Sequence, residues 1–188
     1  MNTVLLSTLC FGAALVLQPM ARLDPVAHML LQYPVLGVSG YLLGLKMPTA
    51  PDLRGPLLVL GITCVGFWML PRSLDAALDS PGMHLAKLVT LPLLAGLPLG
   101  MSVPRVGAVL RGFLKAQSLS MLGVLSFLYS HAPIRICNSY LIEDQQRLGA
   151  GFLWLAGGLS LLWAVPLFLG HSLMPDLLLQ RKKHHDLC

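Results

Sequence analysis

Six apolar stretches, nearly free of charge, dictate what this chain can become: Val4 to Met20, Val26 to Leu45, Pro56 to Leu70, Met83 to Met101, Ala116 to Ser130 and Gly149 to Gly170. Each is near the roughly 20 residues that a helix needs to cross the hydrocarbon core of a bilayer, the third and fifth being short. Lipid offers a peptide group no hydrogen-bond partner, so the backbone inside it must satisfy itself, which helices do segment by segment. The expected fold class is therefore all-α, a polytopic transmembrane helix bundle of about six spans. Residues 1–180 form the membrane domain and 181–188 a basic tail. With 55% hydrophobic residues, only 11% charged and a mean hydropathy of +0.73, an ordinary soluble domain is excluded. The fifth stretch can be extended inward through "RGFLK", where Arg111 and Lys115 lie four apart on one helix face and can snorkel to the headgroups.

The first stretch lacks the basic n-region and small-residue cleavage site of a secretory signal, and is read as a span. Orientation follows from the basic residues. Placing the tail "QRKKHHDLC" in the cytoplasm puts Arg181, Lys182 and Lys183 there together with Lys46, Arg54, Arg105, Arg111 and Lys115. That is eight against the five left outside, Arg22, Arg72, Lys87, Arg135 and Arg147, and it agrees with an even number of spans and both termini cytoplasmic. The cysteines Cys10, Cys64, Cys137 and Cys188 make neither a C-x-x-C pair nor a disulfide framework. The net charge of +5, concentrated in the tail and inner loops, suits anionic lipid, and no pattern calls for nucleic acid.

On this topology the outer end collects the chemistry. His28 begins the second span, His84 begins the fourth and His131 ends the fifth, with Met29 and Met83 beside the first two. Asp24 precedes the second span, Asp75 and Asp79 lie in the outer loop before His84, and Asp144 in "IEDQQ" precedes the sixth. Histidine, methionine, carboxylate and thiol at one depth are donors that copper accepts. Each also has a plainer explanation. Asp24 before Pro25 is what a helix N-cap looks like, Ser80-Pro81 repeats the pattern, and Asp144 suits the positive end of a helix dipole. A histidine at a membrane interface is usually solvated or hydrogen-bonded, and methionine commonly fills apolar helices. Three histidines from three helices at one level favour the metal reading. Lys87, three residues after His84 on the same face, opposes it unless its ammonium points away.

His184 and His185 follow three basic residues and read as part of the tail. Gly37, Gly40 and Gly44 form a small-residue stripe for helix packing, placed by regular α-helical spacing on the face opposite His28. No G-x-S-x-G, H-E-x-x-H or phosphate loop occurs, so the chain reads as a non-enzyme without a small-molecule substrate. A bis-histidine haem using His28 with His84 or His131 is disfavoured by their places at helix ends.

Three blocks resemble the CtaG-type cytochrome c oxidase assembly factors: "AHMLLQYPVLGVSG", "FWMLPRSLDAALDSPGMHLAKLVTLPLLAGLPLGM" and "NSYLIEDQQRLGAGFLWLAGG". They cover a little over a third of the chain in the family's order, and the D-Q-Q block is the most specific. His28, His84 and Asp144 match the family's positions, whereas Asp24 stands where the family tends to place a second histidine. The resemblance implies a bacterial inner-membrane protein that supplies copper to a haem-copper oxidase, with the oxidase subunits or another membrane complex as partners. The ligand set expected on that reading is His28, His84, His131, Asp24 and Asp144, His131 coming from the topology alone. The alternative is a structural accessory subunit of a respiratory or copper-enzyme complex that moves no metal, which the missing upstream histidine favours.

Overall fold

The computed structural model describes residues 2–24, 26–131 and 141–168; the basic tail 181–188, with His184 and His185, lies outside them, as do Arg135, Cys137 and Cys188. Among the described residues the chain is helical throughout, with no strand. The helices are α1 (Thr3–Val16), α2 (Gln18–Leu23), α3 (Tyr33–Gly44), α4 (Arg54–Met69), α5 (Pro71–Asp79), α6 (Pro81–Thr90), α7 (Leu97–Ser102), α8 (Ala108–His131) and α9 (Ile142–Phe168). A π-helical segment, Ala27–Gln32, leads into α3, and a second, Leu91–Gly96, joins α6 to α7. Among the described residues, three continuous helices are long and apolar enough to cross a membrane, Pro51–Met69, Pro81–Arg105 and Ile142–Val165, and α1 is a shorter apolar helix. The surface is correspondingly apolar: Val109 is 90% exposed, Trp154 82% and Leu161 70%, a coat that suits lipid rather than water.

Proline sets the local breaks. Pro19 cannot donate to the preceding turn and crowds it, and the first apolar stretch divides at Leu17 into α1 and α2. Both π-segments end two residues before a proline. The Tyr33 N–H bonds back to His28 and precedes Pro34; the Leu97 N–H bonds back to Pro92 and precedes Pro98. The wider π-turn relocates the backbone bonds that the coming proline disrupts. As "RGFLK" suggests, α8 extends the fifth stretch inward, starting at Ala108.

Helix α3 crosses the second π-segment and α7 at backbone contact. A Cβ built on Gly40 would run into the Pro92 carbonyl, one on Gly96 into the Gly37 carbonyl, and one on Gly100 into the Tyr41 carbonyl. The glycine stripe packs a neighbouring helix, as its spacing suggests, yet it is not opposite His28: His28 and Gly40 both face the helix running from Pro81 to Arg105. The π-segment between them is the reason. It inserts one residue, which turns the phase by about 100°, so a separation of 12 acts as 11 and brings the two residues to within about 20°.

The loop expected between the third and fourth spans is instead a short amphipathic helix, α5, whose Ser73, Leu74 and Ala77 are buried while Arg72 is exposed. Leu74, Ala77 and Leu78, spaced at helical intervals, are its sequence signature. The core runs through Met29, Leu36, Trp68, Leu74, Leu91, Tyr129, Leu148 and Phe152. The last three bring α8 and α9 to the His28 end of the bundle. There Gln145 donates to the Tyr129 carbonyl (3.5 Å), and Gly151 leaves room for Leu30.

Candidate functional site

The π-segment "AHMLLQ" carries the site. His28, Gln32 and Tyr33 lie four and five residues apart, and the widened turn gathers all three on one side of the helix. Opposite them, in the second turn of α6, stands Lys87. Its ammonium is 2.9 Å from His28 Nε2 and donates to Gln32 Oε1, also at 2.9 Å. It also lies 5.3 Å from the centre of the Tyr33 ring, a cation–π distance, and the His28 and Tyr33 rings meet edge to face at 5.1 Å. Lys87 and His28 are each 1% exposed and Gln32 is fully buried.

A charge enclosed among apolar helices persists only when it is compensated, here by a nitrogen lone pair, an amide oxygen and a ring face. With Lys87 as the donor, His28 Nε2 is the lone-pair nitrogen. The network continues outward: Gln32 Nε2 donates to the Ala14 carbonyl at 3.2 Å, so Lys87, Gln32 and Ala14 join three helices through polar contacts. Two further bonds fix the frame. Ser7 Oγ donates to the Ser39 carbonyl (2.7 Å), tying α1 to α3, and the Trp68 indole donates to Thr90 Oγ1 (2.8 Å), tying α4 to α6.

The expected ligands divide. His84 is half-buried in the first turn of α6, three residues before Lys87 and therefore on the same face, and its imidazole interacts electrostatically with that of His28. Asp24 occupies extended backbone before the π-segment; its Oδ1 accepts from the Val26 N–H and its carbonyl from the His28 N–H, both at 3.0 Å, which is a capping role. Asp144 lies 3.6 Å from Arg147 on the first turns of α9. His131 is exposed, stacked on Phe127 (4.6 Å) with Nδ1 donating to the Phe127 carbonyl (3.1 Å). Among the described residues no three of the His, Cys, Asp and Glu side chains group as a metal ion would require. The Lys87 ammonium covers His28 Nε2, and the Asp24 and Asp144 carboxylates are engaged locally.

Compared with protein-family models, with curated proteins and with solved structures, the chain matches none. The site therefore rests on its own geometry. Sequence reasoning quoted Lys87, Gln32 and Tyr33 without assigning them to it. The available signal was a lysine inside an apolar helix, which calls for a partner by default.

Proposed function

We propose that the chain is a six-span accessory subunit of a respiratory or copper-enzyme membrane complex, with no catalytic role of its own, and that His28, Gln32 and Lys87 form a polar lock holding its outer end rigid for a partner. The observation that carries this reading is the 2.9 Å approach of the Lys87 ammonium to His28 Nε2. One lone pair cannot serve both an ammonium and a metal, whose bond to an imidazole nitrogen is only about 2 Å long. The likeness of three sequence blocks to the CtaG-type factors supports an oxidase as the partner. Co-purification in mild detergent tests it: oxidase subunits should be recovered with the wild-type chain, and their absence under all mild conditions would end the accessory-subunit reading.

A second reading, copper delivery, is favoured by the electrostatic interaction of the His28 and His84 imidazoles, which come from two different helices. Metal analysis of detergent-purified protein separates the two. On the lock reading the wild type retains no more copper than His28→Ala or His84→Ala, and the host oxidase is fully loaded with copper in both variants. On the delivery reading both variants lose bound copper, and Lys87→Met, which uncovers His28 Nε2, gains it.

The topology has its own test. Both termini are assigned to the cytoplasm on the distribution of basic residues. A reporter fused after Cys188 should therefore be active only as a cytoplasmic reporter, and periplasmic activity would invert the whole assignment.

A further inference from the structure

At the opposite end of the bundle, marked by Arg54 and Arg105, α8 and α9 part from α4 and α7 and leave a cavity of about 530 Å³. Its apolar walls come from three helices: Ile62 and Val65 of α4, Leu99 of α7, and Leu114 and Met121 of α8. Along its edge α8 presents Arg111, Lys115 and Gln117, all exposed. Arg111 and Lys115 are four residues apart and share a helix face; Lys115 lies 5.3 Å over the Trp163 ring of α9, and Arg111 Nη2 donates to the Val106 carbonyl at 3.1 Å. Among the described residues, no carboxylate lines the cavity.

We propose that this cavity is a binding site for an anionic phospholipid, an acyl chain filling the apolar cleft and the phosphate resting on Arg111 and Lys115. Three properties select that occupant. The volume falls in the range of about 300–1,000 Å³ typical of sites for small organic ligands. Two of the three wall helices, α4 and α7, belong to segments long and apolar enough to cross a membrane, so the occupant is drawn from the lipid phase. The polar groups lie along one edge, are net cationic and, among the described residues, are unopposed by carboxylates within the lining, so a lipid with a negative headgroup is preferred over a zwitterionic one. The single helix face shared by Arg111 and Lys115 lets both cations reach one phosphate, while the Trp163 ring beneath the Lys115 ammonium fixes the position of that charge at the cavity edge. This site is independent of the His28 cluster and of the partner complex.

Native mass spectrometry of the full chain, released from micelles with added dioleoylphosphatidylglycerol or dioleoylphosphatidylcholine, tests the proposal. One phosphatidylglycerol should be retained with a preference of roughly 30-fold over phosphatidylcholine, the effect expected of two basic residues at a headgroup. The double variant Arg111→Gln, Lys115→Gln should bring the preference below about threefold while leaving the helix content intact. A second variant probes shape. Gly66 lines the cavity and a Cβ built there meets nothing within 4 Å, so Gly66→Leu fills the cleft without moving the backbone and should weaken retention of both lipids. Equal retention of the two lipids by the wild type would overturn the proposal, as would a preference that survives the double variant or retention unaffected by Gly66→Leu. Full displacement of phosphatidylglycerol by soluble glycerol 3-phosphate would also overturn it, because the acyl chain would then contribute nothing.

Discussion

Lys87→Met is expected to destabilise the protein by about 2 to 4 kcal/mol in a mixed-micelle unfolding titration. Methionine nearly matches the volume of the lysine stem, so packing changes little; what is lost is the donor to Gln32 Oε1 and the contact with His28 Nε2, both deeply buried. Removing one partner of a buried polar set costs more than removing all of them. The triple variant His28→Leu, Gln32→Leu, Lys87→Met should therefore recover most of the loss. Lys87→Arg should also destabilise, because a planar guanidinium cannot be seated where a compact ammonium is held. If Lys87→Met unfolds at the same detergent fraction as the wild type, the cluster contributes nothing to the rigidity of the outer end and the lock reading fails.

The glycine crossing should be as sensitive. At Gly40 even a methyl group meets the Pro92 backbone, and no rotamer change relieves a backbone contact, so Gly40→Ala should cost about 3 kcal/mol, the upper end of ordinary overpacking. Gly37 on the same helix is the internal control. A Cβ there meets nothing within 4 Å, and alanine is preferred over glycine inside a helix by about 0.5–1 kcal/mol, so Gly37→Ala should be neutral or stabilising. Indistinguishable unfolding of the two variants would mean that α3 and the second π-segment are not pressed together as described. The crossing also sets the site, because it fixes the depth at which Lys87 meets His28.

The helical character, the long apolar segments and the packing role of the glycine stripe were legible in the sequence, because each follows from one-dimensional quantities: run length, hydropathy and spacing at 3.6 residues per turn. Asp24 was legible too, as a cap, from its place before a proline. The partner of Lys87 was not. Regular α-helical phase rotates His28 away from the glycine stripe, and only the π-segment returns both to one neighbour. Whether a helix takes that extra residue depends on Pro34 and on the packing that rewards a wider turn, which spacing alone does not encode. Likewise, the sequence placed three histidines at one level, but a shared level says nothing about direction around each helix. His28 meets Lys87 in the interior, whereas His131 ends an exposed turn against Phe127. Residue order thus determined what the bundle is made of and how far along each helix its polar groups lie. Only tertiary packing decided which of them touch, because contact requires two helices to agree in rotation as well as in depth.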